Sequence, residues 1–108
     1  MDRIEHIATT AMEECNEVAQ RISKALRFGP KEIQPGQPLD NGERIVGEFH
    51  DLYAMLDWLQ QEGFITDRVN IKPDHVTMRL KREKVERFMK ISREQGVLSG
   101  SAKDTANV

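Results

Sequence analysis

From Ile4 to Ala25, apolar side chains recur every three or four residues: Ile4, Ile7, Ala8, Ala11, Cys15, Val18, Ile22 and Ala25. Only an α-helix brings residues so spaced to one face. The pattern predicts an amphipathic helix over residues 2–28, closed by Gly29-Pro30, a glycine cap followed by a residue that cannot continue the helix. A second stripe, Ile45, Phe49, Leu52, Leu56 and Leu59, predicts another helix ended by Gly63. Asp40 with Glu43 three residues on has the form of a capping box and sets its start. Between the two helices, residues 31–39 hold Pro35, Gly36 and Pro38 and read as an extended loop. Two long amphipathic helices joined by one loop pack antiparallel.

Beyond Gly63, Phe64-Ile65 reads as buried chain and Thr66 to Arg68 as a turn. Pro73 suits the first turn of a third helix, which Gly96 stops. That helix is weakly amphipathic, through Leu80, Val85, Phe88, Met89 and Ile91. The expected fold class is all-α, an antiparallel helical bundle forming one domain over residues 1–97, with a small, polar, flexible tail over 98–108. Two amphipathic helices and a third leave apolar surface that one short subunit cannot cover. A homodimer or homotetramer is therefore expected to complete the core, with Tyr53, Trp58 and Phe88 near the boundary.

Hydrophobic residues make up 38% of the chain and charged residues 31%, which suits a soluble, helix-rich domain. No apolar run approaches the roughly 20 residues of a membrane helix. The first residues lack a basic-then-apolar leader pattern, so the expected compartment is cytoplasmic. The single cysteine, Cys15, excludes an intrachain disulfide and reads as a small buried hydrophobe. A formal net charge of −2 argues against a general nucleic-acid binder. The charge is uneven, however: Arg79, Lys81, Arg82, Lys84, Arg87, Lys90 and Arg93 crowd one segment, and the acids gather earlier.

Those acids have a pattern. Glu14 and Glu17 are three apart, so they share a helix face with Cβ atoms about 5–6 Å apart. Glu48 and Asp51 repeat the spacing on the second helix. Both pairs border the apolar stripes. If the stripes pack together, the four carboxylates converge at the edge of the seam. Clustered carboxylates repel one another, and a divalent cation relieves that repulsion. The competing reading is a set of solvated surface acids.

Glu-Glu-x-x-Glu at residues 13–17 followed by Glu-x-x-Asp at 48–51 resembles the MazG-like branch of the all-α nucleoside triphosphate pyrophosphohydrolases. The stretches 13–18, 23–29 and 84–89 are also similar to small members of that group, including phage-encoded ones. The resemblance covers roughly residues 4–97. It implies magnesium, replaceable by manganese, on Glu14, Glu17, Glu48 and Asp51. It implies a nucleoside triphosphate substrate cleaved to monophosphate and pyrophosphate, at least a dimer, and a role in nucleotide-pool control or house-cleaning. Glu13 matches the first Glu of the motif but faces away on helical geometry. The thirty residues 18–47 between the motifs are long for this family, and the excess falls in the proline-containing loop.

Lys24 and Arg27 continue the first helix toward where phosphates would lie, and each reads equally as a surface charge. Trp58, seven residues after Asp51, can stack on a base or pack in a core or interface. Asn70 and Lys72 sit in a short connection from which they can reach a base or phosphate; Lys81 and Lys84 belong to the basic segment. His6, His50 and His75 have no ligand partner at useful spacing. Two rival readings stand beside the hydrolase: a non-enzymatic helical interaction module, and a nucleic-acid-binding module that uses residues 79–93.

Overall fold

The computed structural model describes residues 1–100, and within them the chain forms three α-helices: α1, Arg3–Phe28; α2, Asn41–Gln61; and α3, His75–Glu94. The described residues contain no strand, and no helix among them is long and apolar enough to cross a membrane. The chain divides into two compact units, Met1–Ile71 and Lys72–Val108. The single domain expected over 1–97 spans both. Most of the expected tail, residues 101–108, lies outside the described residues.

Both long helices begin with a capping box. The Asp2 carboxylate accepts from the Glu5 amide at 2.8 Å, and the Asp2 amide donates to Glu5 at 3.3 Å. Asp40 and Glu43 repeat the exchange at 2.7 and 3.1 Å. Each box satisfies amide groups that a helix start leaves without partners. Gly29 ends α1 with φ of 99°, in the left-handed half of the map where an L side chain is strained, and its amide donates to the Ala25 carbonyl at 2.9 Å. The third helix starts later than expected. Pro73 stands before it rather than in its first turn, because Asp74 caps α3, accepting from the Thr77 amide at 3.0 Å and its hydroxyl at 2.6 Å.

α1 and α2 form an antiparallel hairpin. One seam runs through Ile4, Ile7, Ala11, Glu14, Val18, Arg21 and Ala25 on α1 and through Asn41, Ile45, Glu48, Leu52, Met55 and Leu59 on α2, all of them buried or half-buried. Both series alternate steps of three and four, the repeat that keeps one seam facing a partner helix. The seam is unlike the stripe expected from hydrophobicity alone. Glu14, Arg21 and Glu48 occupy places where hydrophobicity predicts their neighbours Cys15, Ile22 and Phe49, and those three are exposed. Cys15 is thus not a buried hydrophobe: it lies a third of a turn from the seam.

The main apolar cluster lies at one end of the hairpin, with Ala25 buried apart from it toward the other. Ile7, Ala11 and Leu59 are its centre, with Ile4, Ala8, Met55, Leu56 and Ile65 packed around them. There Arg3 also joins the helices, pairing with Glu62 at 2.8 Å while its guanidinium lies over the Trp58 ring. At the other end the loop is tied down by Asn41, which is fully buried. Its amide donates to the Glu32 carbonyl, and its side-chain nitrogen donates to the Gly29 carbonyl and the Glu32 carboxylate.

The hairpin also has a second apolar face. Met12, Ile22 and Leu26 of α1 and Val46 and Phe49 of α2 are all exposed. Each set lies about a third of a turn from the seam in the N-to-C sense. Because the helices are antiparallel, both turns lead to the same side of the hairpin, and Glu17 and Asp51 lie round the other way.

In the second unit, α3 buries none of its residues. Its exposed face carries the ion pairs Arg79–Glu83 and Arg82–Glu86, each one turn apart, and Lys84 lies over the Phe88 ring.

Candidate metal centre

The middle of the hairpin seam is where charge replaces packing. Glu14 lies on α1 between Ala11 and Val18, and Glu48 lies on α2 between Ile45 and Leu52, so helix pairing itself drives their carboxylates together. Asp51, one turn after Glu48, enters from the exposed side. One carboxylate oxygen from each of Glu14, Glu48 and Asp51 lies within 4.8 Å of the other two. Glu17 stands outside this group of three, half-buried on the same turn of α1.

The electrostatic consequence falls on Glu14. Its carboxyl is held above the usual glutamate range, first by desolvation and then by the negative charges of Asp51, Glu48, Glu17 and Glu13. Glu48 has a countercharge in Arg21, whose Nε lies 3.9 Å from Glu48 Oε1. That distance is an ion pair and not a hydrogen bond. Arg21 Nε and Nη1 are both buried without a hydrogen-bond partner among the described residues.

The donor set fits a hard divalent cation. Magnesium takes oxygen ligands at about 2.0–2.1 Å, so opposite ligands of an octahedron are about 4.2 Å apart. Three carboxylate oxygens already within 4.8 Å need only side-chain adjustment to reach that geometry. No sulfur or imidazole belongs to the group, which favours magnesium or manganese over softer ions.

A cleft of about 350 Å³ opens beside the carboxylates. Glu48, Asp51, Gly47 and Arg44 line it from α2, and Gln37, Pro38 and Leu39 line it from the loop. A larger cleft of about 640 Å³ lies at the end of α2, walled by Gln60, Gln61 and residues 67–70. None of the carboxylates lines it.

The other expected contact residues are scattered. Lys24 is half-buried one turn after Arg21. Arg27 is exposed at the end of α1, its guanidinium 5.2 Å from the Phe28 ring centre. Trp58 donates its indole N–H to Glu62 at 3.2 Å, with Arg3 over its ring, so that face is already covered. Asn70 belongs to the wall of the larger cleft. Lys72, Lys81 and Lys84 belong to the second unit. Arg44 and Gly47 are not among the residues expected at the site; Arg21 continues the line of Glu14 and Glu17 by one turn, and its pairing with Glu48 is not expected from the sequence. Arg44 falls four residues before Glu48 and Arg21 four residues after Glu17, a signal available in the sequence.

Compared with protein-family models, with curated proteins and with solved structures, the chain matches none.

Proposed function

We propose that this protein hydrolyses a nucleoside triphosphate to monophosphate and pyrophosphate with magnesium or manganese. The observation that carries the reading is the group formed by Glu14, Glu48 and Asp51, three carboxylates drawn from two helices to within 4.8 Å. Nothing in the packing of the hairpin requires acids there, and desolvation followed by their mutual repulsion raises the proton affinity of Glu14. The resemblance of the two acidic motifs to the MazG-like pyrophosphohydrolases supports the same chemistry.

In this reading Glu14, Glu48 and Asp51 hold the ion. Bound magnesium supplies neutralisation of the triphosphate and polarisation at phosphorus. Glu17, beside the group but outside it, accepts the proton of the attacking water at its carboxylate. The exposed face of Met12, Ile22, Leu26, Val46 and Phe49 meets a second copy of the chain, giving a dimer or tetramer. Lys24 and Arg27 lie farther along α1 and serve as supporting cations.

The test is a panel of ribo- and deoxyribonucleoside triphosphates with magnesium, read by pyrophosphate release and by nucleotide analysis. Equal amounts of monophosphate and pyrophosphate are expected from at least one of them. Orthophosphate with diphosphate, or no turnover across the panel, overturns the reading.

A second reading rests on α3, whose cationic side chains Arg79, Lys81, Arg82, Lys84, Arg87 and Lys90 are all exposed. It makes that helix a nucleic-acid-binding surface. Its mark is DNA or RNA affinity that falls steeply with salt.

A further inference from the structure

The cleft beside the carboxylates contains a glycine that the protein itself does not require. Gly47 lies in the interior of α2, where glycine weakens a helix relative to alanine. A Cβ built on Gly47 would meet nothing within 4 Å, and Gly47 is not among the glycines with positive φ. Gly42, on the same helix, is different: there a Cβ would lie 3.4 Å from both Asp40 Oδ1 and the Pro30 carbonyl. Gly47 lines the cleft beside Arg44 and Glu48, and its lack of a side chain leaves that space open.

Arg44 gives the same cleft a cation. It sits one turn before Glu48, at the spacing where helical ion pairs form. No such pair exists; Arg44 Nη1 instead donates to Gln34 Oε1 of the loop at 2.7 Å. Among the described residues this is its side chain's one hydrogen bond, so a guanidinium with five donors has others open to a ligand. The loop that holds it also supplies Pro38 and Leu39 as an apolar wall. A volume of about 350 Å³ is at the small end of the roughly 300–1,000 Å³ that ligand pockets occupy. It suits the charged end of a nucleotide better than the whole of it.

We propose that this cleft receives the phosphate chain of the triphosphate, with Arg44 as its binding cation and Gly47 as the floor that admits it. The proposal rests on the metal reading above, because the phosphates lie between Arg44 and an ion held by Glu48 and Asp51. Arg–phosphate contacts are bidentate and directional, and the Gln34 tether sets the direction of the fork. The sugar then meets Pro38 and Leu39.

The experiment measures binding of magnesium alone and of inorganic tripolyphosphate with magnesium, by calorimetry and by thermal shift, on the full chain. Wild type should respond to both. Arg44→Gln and Gly47→Leu should each weaken tripolyphosphate binding at least about tenfold, while their response to magnesium alone stays at the wild-type level. Arg44→Lys should recover part of the loss, since charge remains and the fork does not. If Arg44→Gln loosens the loop, Gly47→Leu still decides, because its side chain enters open space. Wild-type tripolyphosphate binding by both variants overturns the cleft and leaves the metal reading intact. A wild-type protein that ignores magnesium overturns both.

Discussion

Arg21 Nε approaches Glu48 Oε1 to 3.9 Å, close enough to share charge and too far to share a hydrogen. The contact holds a cation against an acid inside the helix seam, with two guanidinium N–H groups left without partners. Arg21 is therefore the resident countercharge of the carboxylate group, present whether or not an ion is bound.

That role fixes what Arg21→Met should do. Losing the cation removes repulsion toward an incoming divalent ion, so magnesium affinity should rise several-fold. Stability in saturating magnesium should rise by about 1 kcal/mol, because unpartnered buried donors cost more than a long, partly exposed ion pair returns. Calorimetry and urea unfolding with and without magnesium check both. A weaker magnesium affinity in Arg21→Met would show that Arg21 supports the ion instead of competing with it.

Removing the acids should separate folding from activity. Glu48→Gln keeps the side-chain shape, so the variant should fold, and turnover should fall by more than about 100-fold. Magnesium should raise the melting temperature of the wild type by mass action on the folded state. The triple variant Glu14→Gln, Glu48→Gln, Asp51→Asn should lose that rise and, without magnesium, melt higher than the wild type. An equal magnesium shift in both proteins would place the ion elsewhere.

The pH dependence follows from Glu14. Its folded-state proton affinity is raised, so between the usual glutamate pKa and the raised one the folded chain holds more protons than the unfolded chain. Metal-free stability should fall as pH climbs through that window, with the destabilisation complete above it and absent below it. Magnesium affinity should rise across the same window, because ion and proton compete for one carboxylate. Glu14→Gln should flatten the stability slope. A slope unchanged in that variant, measured by urea unfolding across the window, would move the titrating group to another residue.

Assembly is tested at Phe49. An aspartate in place of an exposed phenylalanine has no core to disturb, so Phe49→Asp should keep its helicity and melt cooperatively. If the second apolar face meets another copy, the variant should be monomeric by light scattering where the wild type is not. A monomeric wild type would end the assembly proposal and leave the chemistry open.

The hairpin was legible because its signals are local. Period, glycine cap and capping boxes act within a few residues, and Asp40 with Glu43 makes the expected reciprocal bonds. The grouping of Glu14, Glu48 and Asp51 was legible because an i, i+3 spacing is itself a distance, but Glu17, expected with them, stands outside the group. The line of the seam was not legible from hydrophobicity. Cys15, Ile22 and Phe49 are more apolar than Glu14, Arg21 and Glu48, yet the polar three are turned inward. The choice depends on the partner helix, since the seam must also pass through Ile7, Ala11, Leu52 and Leu59. The same dependence hid Arg44. Its tether to Gln34 spans ten residues of loop, and no periodic pattern records it.

The distribution of side chains along the seam divides the hairpin into stretches of unequal grip. Ile7, Ala11 and Leu59 hold one end by burial, and Asn41 holds the other through its bonds to Gly29 and Glu32. Between them, acids and one arginine share the seam with Val18, Ile45 and Leu52, and none of these is fully buried. Amide protons around residues 14–21 and 45–52 should therefore exchange through local openings that leave both ends closed. A cation bridging Glu14 to Glu48 would cross-link the two helices at their weakest point and merge three opening units into one. Ligand occupancy would then be written in the cooperativity of the fold, as slowed exchange in the middle of helices whose ends hardly change.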